Sequence, residues 1–426
     1  MASSLRPVLR SPRQLLLLVL LTVLPTTAVS STGTCLWRHN AWPSPRAAVC
    51  HRPVDSTAGT DHLLQHTPWT HRPRCIQAGD LTACVYTEQG LSLVTTPDAA
   101  SDAAAAAAAF SVEQEWSEQT SQPPLLFAVR GIPGKGKGAV ATRNIARGAL
   151  VLNERPLLLA RLDLFGNGNG NDTSALLPHH HDLQQLLHDA LAQLSPAEQD
   201  AIHDLAVFRQ RGDATSSLVE DILRTNGLGV SVGGGVAHTG LYPRIARLNH
   251  ACRPNTPTDS MFWRYSPRTL AVEFVALRDI AAGEELTLSY TQRDTVEATR
   301  HDLLTHWGFH CACSVCSSKT ERQRLDDSMA RLKAIEARLA GGDHLGQDLV
   351  RQHTDEMMAL VDGDDALRGP RGAYSYHLVV AAQAAWAHGH GRLAREYTER
   401  ALVAAIEYGG PDDEHVGVLR HVLKMM

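Results

Sequence analysis

Residues 247–255 of this chain read RLNHACRPN. Within this stretch, seven residues hold two amides, an imidazole and a thiol: Asn249, His250, Cys252 and Asn255. Pro254 cannot continue a helix and pushes the residue before it into an extended conformation. The polar groups are therefore expected on a tight, non-helical segment. Such a segment is typical of a ligand-binding turn, although the tetrapeptide alone is equally compatible with a structural role.

Length and composition describe an ordinary globular protein. The chain has 426 residues, enough for two or three domains, with 43% hydrophobic and 20% charged residues. Its formal net charge of −5 at pH 7 disfavours a broad basic surface. Nucleic acid is therefore not an expected partner.

The first thirty residues are predicted to be a secretory signal peptide. Three arginines precede a ten-residue apolar run, residues 15–24, and Ala28-Val29-Ser30 fits a small-x-small cleavage site. A membrane span needs about 20 apolar residues, so neither this run nor any later one is expected to cross a bilayer. We expect the mature chain to begin near Ser31 in the secretory pathway. A cytoplasmic or nuclear location is the alternative if the start codon is assigned wrongly.

The eight cysteines form two groups with different spacing. The early group is widely spread: Cys35, Cys50, Cys75 and Cys84. In an oxidising compartment it predicts two disulfides, whose pairing has three possible forms. The late group is Cys252, Cys311, Cys313 and Cys316, of which the last three lie within six residues. Its density disfavours disulfide geometry and is more typical of thiolates around a metal.

Composition shifts divide the chain into segments. After the signal peptide come a cysteine-containing module over 31–98 and a low-complexity linker over 99–124, which includes an alanine run. Short apolar runs separated by Gly and Pro then predict a mainly β domain over 125–318. A helical insert occupies about 166–240, with helices predicted at 182–194, 196–209 and 215–226. The last helix is expected to stop at Gly227 in the left-handed conformation.

Beyond residue 319 the apolar period becomes helical. Leu325, Met329, Leu332, Ile335 and Leu339 define one buried stripe. Later residues resemble one tetratricopeptide unit. We predict an all-helical domain over 319–426, with a peptide-binding groove as the alternative.

Further motifs accompany the 247–255 segment. GKGKG, residues 134–138, falls between predicted strands, and its glycines let a backbone approach a ligand closely. It lacks the ending of a P-loop. Asn226-Gly227 closes the last insert helix. GEELTLSY, residues 283–290, is followed after some twenty residues by FHCACSVC, residues 309–316.

In this order the motifs resemble the SET-domain protein lysine methyltransferases, and among them the SMYD-like branch with a split SET domain. The resemblance covers residues 125–318. It implies a mixed, mainly β SET fold of small sheets with a pseudoknot and a helical insert, followed by an all-α, TPR-like domain. The insert has no cysteines, so the MYND-type zinc finger of some relatives is absent.

The resemblance also implies the site residues. Asn249 and His250 would contact S-adenosylmethionine in the pseudoknot, largely through backbone and amide hydrogen bonds. The methionine end of this cofactor would be covered by Lys135, Gly136, Lys137 and Gly138. Asn226 would add a polar contact, and Phe309 would stack near the adenine. Tyr290 would stand at the methyl-transfer channel, with Tyr242 in a supporting position. One structural zinc would be held, as in many relatives, by Cys252, Cys311, Cys313 and Cys316.

The implied function is methyl transfer to a lysine of a protein substrate. This in-line displacement depends on geometry more than on acid–base catalysis. A narrow, tyrosine-lined channel would lower the pKa of the incoming lysine by desolvation. The alternative is a catalytically weak SET scaffold that binds a partner peptide through its C-terminal helices.

Overall fold

The structure is a computed structural model. It describes residues 71–78, 81–88, 90–110, 125–161, 164, 180–209, 216–232, 236–255, 264–266, 269–291, 295–341, 344–363, 367, 374–409 and 414–426. The predicted signal peptide, Cys35, Cys50 and the glycine-rich start of the insert lie outside the described residues.

A six-stranded sheet is the largest β element. Its strand order is β1-β2-β3-β7-β9-β8. The strands span, in that order, Arg74–Ala78, Leu81–Glu88, Leu91–Thr95, Leu158–Arg161, Val236–Leu241 and Leu228–Val232. Only the β3–β7 pair in this sheet is parallel.

The six-stranded sheet crosses the domain boundary that the sequence predicts at residue 98. Strands β1 to β3 come from the segment predicted as a separate module, yet they extend the sheet that also contains β7 to β9. The reason is visible in β3, all five residues of which are buried. A strand buried on both faces and paired on both edges belongs to a shared core. One predicted disulfide is assigned here, since Cys75 and Cys84 face each other across β1 and β2 and are bonded.

The alanine run is helical and packed, and not a linker. Helix α1 spans Pro97–Phe110. Its buried alanines join the core of the β region: Ala100, Ala103 and Ala104. Alanine shows no conventional apolar stripe in the sequence, but its small side chain allows the helix to lie close against the sheet.

Three smaller sheets carry the motifs. Strands β4 and β5, Phe127–Ile132 and Gly136–Ala141, form the hairpin around GKGKG. Strand β12, Val272–Val275, lies between β11, Arg264–Tyr265, and β6, Leu150–Glu154. Strands β10 and β13, Asn249–His250 and Thr287–Leu288, pair in parallel.

The insert contains three helices: α2, His180–Ala192; α3, Pro196–His203; and α4, Leu218–Asn226. Helix α3 begins with a capping box, in which the side chains of Ser195 and Glu198 each accept a hydrogen bond from the other residue's backbone N–H. The prediction for Gly227 is wrong, because its φ of −73° and ψ of 139° are extended. Glycine is required there for space: an added Cβ would lie 2.2 Å from Oγ1 of Thr239.

The C-terminal region is helical, as predicted. Its helices are α5, Val296–Trp307; α6, Ser314–Ser317; α7, Lys319–Leu339; α8, Gln347–Gly363; α9, Tyr374–Ala387; α10, Gly391–Gly409; and α11, Glu414–Met425. Helix α5 ends at Gly308, which is in the left-handed conformation with φ 72°. The predicted stripe on α7 is buried except for the partly buried Met329. Among the described helices, none is long and apolar enough to cross a membrane.

A buried carboxyl at the end of β2 predicts a pH-dependent stability. Glu88 is 6% exposed, and Arg155 lies 4.0 Å from it. Burial raises the pKa of Glu88 to about 8, and Arg155 offsets this only in part. Since the folded-state pKa exceeds the ordinary value of 4.5, stability is greatest below pH 4.5 and falls as pH rises towards 8. We expect the free energy of unfolding of the wild type, relative to Glu88→Gln, to fall by roughly 1–3 kcal/mol between pH 5 and 8.

Urea unfolding at several pH values measures this difference. Glu297→Gln is the matched control, because the Glu297 side chain is 82% exposed. A parallel pH profile for wild type and Glu88→Gln would contradict the prediction.

Candidate active site

A ladder of backbone hydrogen bonds joins three of the motifs. The N–H of Ala141 in β5 donates to the carbonyl of Glu284 at 2.8 Å, and Leu286 donates to Ala139 at 2.8 Å. The chain then continues into β13, which pairs with β10 so that Asn249 faces Thr287 and His250 faces Leu288. The GKGKG hairpin, the GEELTLSY segment and the Asn-His pair are thereby fixed side by side.

The side chain of Asn255 stabilises this arrangement through hydrogen bonds to the GEELTLSY segment. Asn255 is 1% exposed, and its Oδ1 accepts a hydrogen bond from the backbone N–H of Thr287 at 2.8 Å. Its Nδ2 donates to the carbonyl of Glu285 at 2.8 Å and to Oε1 of Glu284 at 3.1 Å. The sequence placed Asn255 in the key stretch without a role. The structure shows that the second amide ties the turn to the neighbouring motif.

Glu285 was missed as a site residue. Its Oε1 accepts from Nδ2 of Asn249 at 2.9 Å, and its Oε2 pairs with Nζ of Lys135 at 2.7 Å. One carboxylate therefore connects the GKGKG loop to the Asn-His turn. The only signal in the sequence was the adjacent pair of glutamates, and two acidic residues before a strand are common on exposed turns.

The second lysine of the loop contacts the insert. Nζ of Lys137 lies 2.5 Å from Oδ1 of Asp204, and the guanidinium of Arg247 lies 2.7 Å from Oδ2 of the same carboxylate. The pKa of Asp204 is lowered, first by the hydrogen bond from Lys137 and second by the positive charge of Arg247. Asp204 is the C-cap of α3, so the insert is linked to both the loop and the turn.

Glycine is required in the loop for two different reasons. Gly134 and Gly136 adopt φ values of 74° and 75°, which side chains rarely tolerate. Gly138 has no such φ but lies against the turn, since an added Cβ would be 2.6 Å from Nδ2 of Asn249 and 2.6 Å from Cγ1 of Ile132. The bare backbone at Gly138 is what lets the loop lie on Asn249.

Gly138→Ala tests that contact. We expect the added methyl group to displace Asn249 or the hairpin, at a cost of about 1–3 kcal/mol in the free energy of unfolding. If Asn249 holds the cofactor, affinity for S-adenosylmethionine should fall roughly tenfold, which isothermal titration measures. Gly131→Ala is the matched control from the same hairpin, because nothing lies within 4 Å of its added Cβ. Equal behaviour of the two variants would contradict the close approach.

Tyr290 stands at the end of the ladder among aromatic rings. Its hydroxyl donates to the carbonyl of Leu248 at 3.1 Å. Its ring centroid lies 5.4 Å from that of Trp307 and 6.3 Å from that of Phe309. Burial, and to a lesser degree Glu285, raises the pKa of Tyr290, so its hydroxyl is neutral at ordinary pH. Tyr290 packs against both the β core and the helical core, which places it at their junction.

Two predicted site residues are placed differently from this group. Tyr242 is fully buried in the β core, and its hydroxyl donates to the carbonyl of Leu270 at 3.0 Å. Asn226 uses its amide nitrogen within the insert, donating to the carbonyls of Ala206 at 2.7 Å and Ile222 at 2.8 Å. Both side chains are engaged in holding the scaffold around the site.

The four late cysteines form one cluster, as the sequence predicted. Their sulfur atoms all lie within 4.8 Å of one another, and Cys252 and Cys316 are 3.5 Å apart. The pKa of Cys311 and that of Cys313 are both lowered, and the largest cause for each is a hydrogen bond from Cys252. The pKa of Cys313 falls to about 6. Thiolates bind zinc at about 2.3 Å, which corresponds to sulfur–sulfur separations of about 3.8 Å in a tetrahedron. The donor set and its spacing fit a four-thiolate metal site.

Residues 136–291, which include residues 136–138 of the loop, the turn and Tyr290, match the SET domain family. Histone-lysine N-methyltransferase set5 of Schizosaccharomyces pombe is 28% identical over 207 residues, which cover 48% of this chain and 55% of that protein. Protein-lysine N-trimethyltransferase SMYD5 of Gallus gallus is 29% identical over 36% of this chain and 32% of that protein. The chain spans about half the length, or less, of these relatives.

Among solved structures, this chain is similar to the SET domain of LSMT bound to lysine and AdoHcy. The match covers 72% of this chain and 87% of the LSMT chain. The identity is 12% and the TM-score is 0.29.

Proposed function

We propose that this chain is an S-adenosylmethionine-dependent protein-lysine N-methyltransferase. The observation that carries the proposal is the position of Tyr290. Its hydroxyl is held by Leu248 and its backbone N–H by His250, at the end of the ladder that carries Asn249. The names of the relatives, histone-lysine and protein-lysine methyltransferases, support the same reaction class.

The residues present fit the cofactor. The loop lies close over the turn, because a Cβ added at Gly138 would be 2.6 Å from Nδ2 of Asn249 and that nitrogen lies 3.4 Å from the carbonyl oxygen of Lys137. S-adenosylmethionine supplies, when bound, a methyl group on a positively charged sulfur. We propose that Asn249 and His250 hold it through backbone and amide groups. Lys135, Gly136, Lys137 and Gly138 cover its methionine end, and Phe309 lies near its adenine.

The chemistry assigned to the protein is orientation and desolvation. Since its hydroxyl donates to Leu248, Tyr290 can present an oxygen lone pair to the incoming amine and to a polarised methyl group. The rings of Trp307 and Phe309 exclude water and disfavour the charged form of the lysine, which lowers its pKa. Aromatic faces also attract a cationic sulfur or ammonium.

We further propose that Cys252, Cys311, Cys313 and Cys316 hold one structural zinc ion. Four protein thiolates leave no coordination position for a substrate, so this metal would stabilise the fold and take no part in the reaction. Cys252, Cys311 and Cys316 belong to the core of the helical region, and Cys313 packs against it. A metal there would fix the segment that carries Phe309 against the Asn-His turn.

A secretory location is part of the proposal. The predicted signal peptide supports it, and so does the Cys75–Cys84 disulfide, since such bonds persist in oxidising compartments. N-terminal sequencing of protein recovered from culture medium tests it. A chain that retains Met1 and stays in the cytosol would contradict it.

The proposed activity is tested with methyl-labelled S-adenosylmethionine and a panel of lysine-containing proteins. We expect label in methylated lysine after hydrolysis of one or more of the panel proteins. The scaffold alternative predicts that panel proteins are captured without label transfer. Capture without transfer, by protein that binds the cofactor, would replace our proposal by that alternative.

A further inference from the structure

The His250 ring lies between Tyr290 and the cysteine cluster. The residue is 3% exposed. Its Nδ1 lies 3.1 Å from the backbone nitrogen of Tyr290, and its Nε2 lies 3.5 Å from Sγ of Cys252. The ring also stands 5.6 Å from the Tyr290 ring and 6.4 Å from the Phe309 ring, between centroids. One imidazole therefore contacts the reaction-site tyrosine and a cysteine of the cluster at once.

The direction of both hydrogen bonds follows from the Tyr290 contact. A backbone N–H can only donate, so Nδ1 must be the acceptor. A neutral imidazole with an accepting Nδ1 carries its proton on Nε2. That proton faces Sγ of Cys252, and a cysteine sulfur is a weak acceptor. A single tautomer therefore satisfies both contacts.

The short strands make this link important. Strands β10 and β13 pair over only two residues each, so their ladder constrains Tyr290 weakly beyond its end. Tyr290 comes two positions after Leu288, and the ring of His250 supplies the next cross-link to its backbone. The orientation of that ring is in turn fixed by Cys252, which is buried with the helical core.

We propose that the His250 side chain is a positioning residue that couples the cysteine centre to Tyr290. The inference rests on the proposed function, because it gives Tyr290 a reaction to serve. It goes beyond that function, because cofactor binding by His250 uses the backbone and leaves the imidazole without a role. Occupancy of the cysteine centre would then stabilise the Tyr290 backbone through one hydrogen-bonded ring.

Two substitutions separate the two halves of the link. In His250→Asn the side-chain oxygen can replace Nδ1 as the acceptor for Tyr290, while the donor to Cys252 is lost. In His250→Gln the amide nitrogen can replace Nε2 as the donor to Cys252, while the acceptor for Tyr290 is lost. His238→Asn is the control for removing a buried imidazole, because the His238 ring bonds Thr95 and the carbonyl of Val236.

Zinc release reports on the contact with Cys252, and hydrogen–deuterium exchange reports on the contact with Tyr290. Neither measurement depends on activity. For zinc-loaded full-length protein, we expect release of zinc to an excess of a chromogenic chelator to be roughly tenfold faster in His250→Asn and near wild type in His250→Gln. Hydrogen–deuterium exchange of the Tyr290 amide should show the reverse, with roughly tenfold faster exchange in His250→Gln. With zinc in excess, kcat should fall more in His250→Gln than in His250→Asn, at similar KM for S-adenosylmethionine.

Faster zinc release only in His250→Asn and faster amide exchange only in His250→Gln are crossed effects. These effects, if absent in His238→Asn, support the coupling. Parallel effects of the two His250 variants on release and exchange, or a wild type that binds no zinc, would overturn it. If the wild type transfers no methyl group but the crossed effects appear, the proposed function fails and the structural link stands.

Discussion

Tyr290→Phe is expected to lower kcat by about 100-fold while leaving the affinity for S-adenosylmethionine within a factor of about two. The hydroxyl of Tyr290 donates to the carbonyl of Leu248 and is neutral at ordinary pH, because burial raises the pKa of Tyr290. Its lone pair is the group that can orient a neutral lysine amine at the end of the ladder. Phenylalanine keeps the ring against Trp307 and Phe309, so the cofactor contacts and the packing should survive.

Steady-state methyl transfer and isothermal titration together measure this split. Tyr265→Phe is the matched control, because the Tyr265 hydroxyl also donates to a backbone carbonyl, that of Ser231, at 2.5 Å. It should leave kcat nearly unchanged. A Tyr290→Phe variant with wild-type turnover would show that the tyrosine is only an aromatic residue at a strand end.

Cys316→Ser is expected to reduce bound zinc from about one equivalent to near zero and to lower the free energy of unfolding by about 3 kcal/mol or more. Cys316 is buried in the core of the helical region, within 4.8 Å of the other three sulfurs. Because Tyr290 and Phe309 pack against that same core, affinity for S-adenosylmethionine should fall as well. Metal analysis, urea unfolding and cofactor titration measure the three effects.

Ser314→Ala controls for this substitution, because the Ser314 side chain is exposed on the same short helix, α6. Treating the wild type with a chelator should reproduce the effect of Cys316→Ser, and the same treatment should not change the variant further. Wild-type protein that contains no metal, with Cys311 and Cys313 joined in a disulfide, would contradict the zinc proposal.

The resemblance carried by the ordered motifs allowed the SET fold and the set of four late cysteines to be predicted, because each motif is recognised from residue types at short spacing. The helix bounds around Ser195 and Gly308 were predictable for the same reason, since capping is local. The helical character of the C-terminal region followed from its apolar period, as the buried stripe on α7 confirms.

Features that depend on tertiary contact could not be predicted. The strands over residues 74–95 join a sheet whose other strands lie far along the chain, and nothing local indicates that partner. Helix α1 is packed through alanines, which give no periodic signal. Gly227 is required by the side chain of Thr239 and not by its own backbone angles.

The same limit applies within the site. Glu285 connects Lys135 to Asn249, and Asp204 connects Lys137 to Arg247. Each bridge joins segments that are remote in the sequence, so composition alone left these carboxylates unassigned. The side chain of His250 belongs to this group, since its two partners are known only from the folded chain.

We propose that the turn at Asn249 and His250, covered by the GKGKG loop, binds S-adenosylmethionine for methyl transfer. Isothermal titration of the zinc-loaded wild type with S-adenosylmethionine tests it most directly. We predict saturable binding at one site per chain, weakened roughly tenfold in Gly138→Ala and unchanged in Gly131→Ala. No measurable binding by the zinc-loaded wild type would contradict the account.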